Sequence, residues 1–373
     1  VNHPENTPGG RKCHSLSELV GNTPVLRVTA PLPEPHPGFW AKLEGMSPGG
    51  MKSRAALSMV VGARRRGELR AGGTIVESTS GTLGIGLAYV GIALGHPVVL
   101  VTDHEIDNLT LALLRAYGAR VEIVREPAPR GGWQRARRDR VAELLAEHEE
   151  AFWPDQYNNP DNAAGYEPLG RELLAQFDRV DTVVCSVGTG GHSAGVASVL
   201  RAHLPNVRIV GVDSPGSALF GQRPDKRLMR GLGSSIHPDN VAYHQFDEVH
   251  WIGPSEAARA CRDLARGNFV TGGWSTGAVA LASAWCAAET GSDEVVGIFP
   301  DGPHRYWETI YDDEFGERNG LHGTRCARHP AERGTERSGA ARWSRSREIT
   351  DPCPGRTTGT GCSLCDREEG ALP

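Results

Sequence analysis

The sequence predicts an α/β protein, built as two doubly wound α/β domains with mostly parallel sheets. Three observations lead there. Short apolar runs of strand length alternate with helical patterns from Leu16 to about Phe315. Many of those helical patterns stop at a glycine, such as Gly95 and Gly118, as the C-cap rule expects. Three Gly-rich loops each follow a strand-like run and open a helix-like one. Such alternation implies parallel sheets covered on both faces, with ligands at the carboxyl ends of the strands. A chain of 373 residues suits two domains, or one with extensions.

In order along the chain, residues 1–13 are polar, are expected to be disordered and lack the apolar core of a signal peptide. Phe39–Glu44 reads as a strand and runs into "GMSPGGMKSRAA", where Lys52 stands at the hinge between a Gly/Pro loop and a helix. The loop nearly spells the nucleotide-binding G-x-x-x-x-G-K-[ST], but Met51 intrudes between Gly50 and Lys52, and no convincing Walker-B aspartate follows. Buried strands are expected at 73–77, 97–102, 119–124, 182–187, 207–213 and 295–300. Helices are expected at 83–95, 108–118, 137–152, 191–204 and 255–266. From 319 to 373 apolar periodicity is lost and Arg, Gly, Thr and Ser dominate, so a disordered tail is expected. It carries Cys326, Cys353, Cys362 and Cys365, the last two as C-x-x-C with His329 not far off, but the other spacings match no standard zinc finger and no metal is expected.

Bulk properties exclude several classes. A net charge of −5 gives no general attraction to nucleic acid or anionic membrane, and no run approaches the ~18 apolar residues of a membrane span. Cys13, Cys185, Cys261 and Cys286 sit singly, which reads as reduced thiols in a cytoplasmic protein. Arginine far outnumbers lysine: only Lys12, Lys42, Lys52 and Lys226 occur.

The chemistry is expected in the three loops. The first presents Lys52. A lysine that acts as a nucleophile or base must be partly desolvated so that its amine is free. The second, "ESTSGTLGIGLA" (77–88), offers the hydroxyls of Ser78, Thr79, Ser80 and Thr82 and backbone N–H groups at a helix start, a carboxylate or phosphate site. The third, "CSVGTGGHSAGVAS" (185–198), has glycines at 188, 190, 191 and 195 that let the backbone wrap a phosphate; it is not a G-x-G-x-x-G fingerprint. Each loop alone is as compatible with a tight turn as with an anion site.

Together the motifs resemble the fold-type-II pyridoxal-phosphate enzymes of the cysteine synthase/cystathionine β-synthase family over roughly residues 16–315. "GNTPVLRV" (21–28), "SPGGMKSR", "TSGTLGIGLA", "GTGGH", "QYNNPDN" (156–162), "GLGSS" (231–235), "GGWSTGA" (272–278) and "PDGPHRY" (300–306) fall in the family's order. The resemblance implies a tryptophan synthase β-like fold: a large cofactor domain from 14–55 and 160–318, and a small mobile domain from 56–159. It implies pyridoxal 5'-phosphate on Lys52 as Schiff-base lysine, its phosphate on Gly188, Thr189, Gly190, Gly191 and His192, and its ring near Thr82. The ring nitrogen falls to Gly302, at the family's Ser/Thr position, or to the preceding Asp301. Substrate falls to Thr79, Ser80, Gly81, Gln156, Tyr157 and Gly231. A homodimer is also implied.

Stretches such as "FWAKLEGMSPGGMKSR", "REPAPRGGWQRARRDRVAELL" (125–145), "VDSPGSALFG" and "FPDGPHRYWETIY" are most similar to one branch of that family. That branch joins O-phospho-L-serine to L-glutamate, giving N-(2-amino-2-carboxyethyl)-L-glutamate, the precursor of 2,3-diaminopropionate in siderophore and antibiotic pathways. Leu83 replaces the family's threonine, which suggests a reshaped substrate site. Arg137 aligns with an arginine of the branch and is the substrate-binding choice from the run Arg130, Arg135, Arg137, Arg138 and Arg140; a solvated helix face is the usual fate of such a run. Cysteine synthase chemistry with sulfide, and β-elimination, are the alternatives, because one scaffold hosts many reactions.

Overall fold

Where the sequence gives apolar runs without polar alternation, the chain forms strands buried on both faces. The computed structural model describes residues 12–29, 37–79, 81–129, 132–148, 150–321, 327, 329–333 and 343–354. Its strands are β1 (Val25–Val28), β2 (Phe39–Leu43), β3 (Ile75–Ser78), β4 (Val98–Asp103), β5 (Arg120–Val124), β6 (Thr182–Ser186), β7 (Arg208–Asp213), β8 (Glu248–Trp251), β9 (Val295–Phe299), β10 (Ala331–Glu332) and β11 (Ser344–Ser346). Its α-helices are α1 (Lys52–Arg66), α2 (Thr82–Leu94), α3 (Asn108–Ala116), α4 (Gly132–Glu147), α5 (Pro160–Ala164), α6 (Glu167–Gln176), α7 (Gly191–His203), α8 (Pro254–Asn268), α9 (Trp274–Thr290) and α10 (Asp313–Arg318). None of the described helices is long and apolar enough to cross a membrane.

Two sheets result. The larger runs β1-β2-β9-β6-β7-β8-β11-β10, and the smaller β3-β4-β5. From β2 through β8 the larger sheet is parallel, with β1 antiparallel at one edge; the smaller sheet is wholly parallel. Every residue of β4, β6 and β9 is buried, as parallel strands covered by helices require. The six apolar runs expected as strands are β3, β4, β5, β6, β7 and β9. The helix expected at 137–152 begins earlier, at Gly132, and ends at Glu147. Helix α9 was not anticipated: it is buried on almost every face, so its Ala-rich sequence shows no amphipathic period.

One stretch of the expected tail differs. Residues 343–346 place β11 antiparallel on the outer edge of β8, with β10 parallel beside it. Trp343 is buried and donates from Nε1 to Nδ1 of His250 at 2.9 Å. Buried Glu248 is met by Arg345 (3.3 Å), Arg347 (3.0 Å), Arg208 (3.0 Å) and His250 (2.6 Å). Burial alone would raise the Glu248 carboxyl, but His250 and these arginines hold it down at about 2. "SRS" carries no apolar signal because charge rather than hydrophobic area docks it. Cys13, Cys185, Cys261 and Cys286 are free, whereas Cys353 is disulfide-bonded. Cys326, Cys362 and Cys365, residues 1–11 and residues 355–373 lie outside the described residues.

Arg345→Ala strands Glu248 and Glu289 short of a buried partner. It is expected to cost about 2–4 kcal/mol, seen as a lower midpoint of chemical unfolding, with Arg345→Lys recovering part of the loss.

Candidate active site

Lys52 is placed by backbone contacts that only glycine permits. Gly49 and Gly50 both have positive φ (73° and 70°) and turn the chain into α1. A Cβ on Gly86 of α2 would stand 3.1 Å from the Lys52 carbonyl and the Ser53 nitrogen, so α1 and α2 touch main chain to main chain. On the other side, the Met51 N–H donates to the Pro300 carbonyl at 2.8 Å, just past β9. Two residues beyond Lys52, Arg54 forks onto the buried Glu44 (2.6 and 2.8 Å) and the partly buried Glu172 (2.8 Å twice). Glu172 also takes the buried Lys42 ammonium at 2.7 Å. The first turn of α1 is thus tied to β2 and α6.

Among the described residues the Lys52 amine has no carboxylate partner. It donates to Thr189 Oγ1 at 3.2 Å, and desolvation lowers its pKa to about 8. Thr189 lies in the glycine loop between β6 and α7. Gly190 there has φ +83°, and a Cβ on it would meet Val241 backbone at 2.6 Å. His192, in the first turn of α7, is buried; desolvation first, and then the nearby Lys52, push it to about 3, so it is a neutral imidazole, and its Nε2 has no hydrogen-bond partner among the described residues. The N-terminus of α7 and its free N–H groups form an anion cradle beside a desolvated amine.

The second loop opens α2, whose Gly86 packs on the Lys52 backbone. Thr79 is buried and its Oγ1 accepts from the Gly81 N–H at 3.1 Å, with Thr82 opening α2. Ser80 lies outside the described residues. Gln156 and Tyr157 approach through their main chain: Asn162 and Asn240 donate to the Gln156 carbonyl (2.5 and 3.1 Å), and Asn240 to that of Tyr157 (2.9 Å). Asn162 Nδ2 also reaches Thr189 Oγ1 at 3.3 Å, linking the "QYNNPDN" and "GTGGH" stretches. The Gly231 carbonyl overlies Gly188, 3.5 Å from where a Cβ would be. Lys52, Thr189, His192, Gly188, Gly231 and Gln156 are therefore brought together.

Two residues sit differently from the simplest expectation. Arg137 is paired with Asp103, at the end of β4, at 3.1 Å, and its charge also acts on the buried Tyr157 hydroxyl. Asp301 spends both carboxylate oxygens on its own surroundings, accepting from the Gly273 N–H (3.2 Å) and the Tyr306 hydroxyl (2.6 Å). Burial raises its pKa. Gly302 follows it and borders Gly45, where any side chain would strike the Asp301 carbonyl at 2.8 Å. The rest of the arginine run is structural: Arg135 pairs with Asp139, Arg140 with Glu122, and Arg138 lies over Trp153. Arg130 lies outside the described residues.

Three residues at the site were not singled out from sequence. Asn162 is fully buried against Gly191. Glu77, at the end of β3, is buried and raised to about 7 by desolvation, opposed by bonds from Trp153 and Ser78. Arg305 reaches from "PDGPHRY" to Asp107 (3.2 Å) and Thr110 (3.0 Å) at the start of α3. Asn162 and Arg305 were inside quoted motifs; Glu77 stood inside an apolar run, where a lone acid is itself a signal of a buried polar contact.

The sequence profile of the family described as "Pyridoxal-phosphate dependent enzyme" matches residues 16–301. The chain is 35% identical over 308 residues to the N-(2-amino-2-carboxyethyl)-L-glutamate synthase of Cupriavidus metallidurans, covering 81% of this chain and 90% of that protein. It is 34% identical over 305 residues to the protein of the same name from Ralstonia nicotianae, covering 81% and 90%. Among solved structures, the O-acetylserine dependent cystathionine β-synthase from Helicobacter pylori superimposes with a TM-score of 0.74 at 28% identity, covering 81% of this chain and 100% of that one.

Two measurements follow from this geometry. Gly190→Ala is expected to destabilise the protein by about 1–3 kcal/mol or more, from the left-handed φ and the clash with Val241, read from a denaturant midpoint. Lys52 should be acetylated by limiting acetic anhydride with a midpoint near pH 8, read by mass spectrometry of the cofactor-free protein. Its pKa falls on folding, so between pH 8 and 10.5 the unfolded chain holds more protons and this lysine makes folding more favourable as pH rises.

Proposed function

Because this chain belongs to the pyridoxal-phosphate dependent enzyme family, whose cofactor is pyridoxal 5'-phosphate, we propose that it performs a β-replacement on O-phospho-L-serine. L-Glutamate is the nucleophile, and the products are N-(2-amino-2-carboxyethyl)-L-glutamate and phosphate. The likeness to the two synthases supports the choice of substrates. The observation that carries the cofactor chemistry is the desolvated Lys52 amine, 3.2 Å from Thr189 in the glycine loop.

The residues present fit the cofactor. The cradle at Gly188, Thr189, Gly190, Gly191 and His192 is lined by N–H groups and closed by backbone, and His192 Nε2 is buried without a partner among the described residues. This loop would hold the cofactor phosphate, Lys52 its aldehyde carbon, and Thr82 the neighbourhood of the ring. Asp301 already has partners on both oxygens, which favours backbone at Gly302, rather than a carboxylate, beside the ring nitrogen. When bound, the cofactor supplies the conjugated system that stabilises negative charge at the substrate Cα.

The protein's own residues do the rest. Thr79, Ser80 and Gly81 bind the substrate carboxylate at the start of α2. Lys52 Nζ takes the Cα proton and later returns it, a task suited to an amine near pKa 8. Phosphate leaves Cβ with the bonding electron pair, and the glutamate amine forms the new C–N bond there. Arg137, Gln156, Tyr157 and Gly231 line the substrate side. The segment 56–159, carrying the smaller sheet, acts as a small domain that closes over the substrate against 14–55 and 160–318. By analogy with the family, the enzyme works as a cytoplasmic homodimer.

The O-acetylserine dependent neighbour keeps a second reading open to test, with sulfide or another thiol as nucleophile. A matrix of phosphoserine or acetylserine with glutamate, sulfide or no nucleophile, read by product mass, separates them. Glutamate incorporation from phosphoserine is expected; its absence across the matrix sinks the assignment. Lys52→Ala is expected to lose the cofactor's absorbance and all turnover while staying folded.

A further inference from the structure

The segment after β7 packs against the glycine loop that follows β6. Its Gly233 N–H donates to the Val187 carbonyl at 2.8 Å, and the Gly231 carbonyl overlies Gly188, so it is fastened to the cofactor cradle. Arg227 lies on this segment. Its guanidinium donates to the Gly216 carbonyl (2.7 Å), to Ser235 Oγ (3.0 Å) and, at 3.5 Å, to the Asp225 carbonyl. All three acceptors are neutral.

That setting contrasts with the other cations nearby. Arg137 is neutralised by Asp103 at 3.1 Å, Arg305 by Asp107 at 3.2 Å, and Arg230 by Glu105 at 3.0 Å. Arg227 makes no ion pair among the described residues, yet it is only half-exposed and lies close enough to Asp213, Tyr157 and Asp225 to interact with them electrostatically. Burial disfavours its charged form, more than those neighbours restore. A guanidinium hydrogen-bonded only to neutral oxygens, with no carboxylate at ion-pair distance among the described residues, is pre-oriented for an incoming carboxylate. Sulfide or water as nucleophile has no use for such a group; a dicarboxylic amino acid brings a second negative charge that needs one.

We propose that Arg227 is a specificity-determining residue for the nucleophile, receiving the side-chain carboxylate of a dicarboxylic amino acid while its amine is directed at the substrate Cβ. This rests on the β-replacement reading above and names the group that selects its second substrate.

The test uses the holoenzyme, Arg227→Gln and Arg227→Lys. Removing one charge-assisted contact should raise KM for glutamate roughly 10- to 100-fold with kcat less affected, and Lys should restore part of it. The spectral change on adding phosphoserine alone should match wild type. Calorimetric titration of glutarate into the holoenzyme should show binding that Arg227→Gln weakens by a similar factor. The proposal is overturned by an unchanged glutamate KM, by equal loss of the phosphoserine response, or by glutarate binding that is absent from wild type or insensitive to the substitution. If wild type never incorporates glutamate, the functional reading falls. The glutarate titration, which needs no turnover, still decides whether Arg227 forms a dicarboxylate site.

Discussion

One guanidinium ties the first turn of α1 to β2 and α6, and the position of Lys52 depends on it. Arg54 engages Glu44 and Glu172 with four hydrogen bonds of 2.6 to 2.8 Å, nearly out of contact with water. Lys42 completes the cluster from β2. Such a buried lattice adds little net stability over a well-packed apolar one, but its geometry admits few alternatives. Two residues upstream, Lys52 needs no charged partner of its own to be positioned. That separation lets the amine stay desolvated: the charges that fix the helix are spent on one another, and the amine faces a neutral hydroxyl.

The same division holds across the site. Lys52 and His192 are both pushed toward their neutral forms, and Glu77 is raised to about 7, so the interior carries little fixed charge. The charged arginines are spent elsewhere: Arg230 and Arg305 link loops at the ends of the two sheets, and Arg137 ties α4 to the end of β4. A low-charge interior lets hydrogen bonds and the N-terminus of α7 act at full strength.

Much of this was legible in the sequence because it is local. A glycine that must bring backbone to backbone leaves a mark at one position, as Gly49, Gly50 and Gly190 do. Uninterrupted Val/Ile/Leu runs revealed six of the strands. Sequence did not reveal elements whose stability is collective. Helix α9 is buried all round and shows no period. Strand β11 is docked by ions whose partners are nearly 100 residues away. Asn162 and Arg305 act through distant partners, and Asp301 turned out to be engaged by Gly273 and Tyr306, contacts that no linear spacing encodes.

The position of β11 also bears on how the chain is made. Strand β8 is complete at Trp251, but the partner of its outer edge begins at Ser344. During synthesis that edge stays unpaired while more than 90 further residues emerge, at about 5–20 residues per second. A parallel sheet whose next strand is long delayed offers a growing template to neighbouring chains. The ionic character of the eventual seal suits this delay: Glu248 and His250 on the waiting strand keep its open edge polar, so that the nascent protein stays wettable until its own arginines arrive.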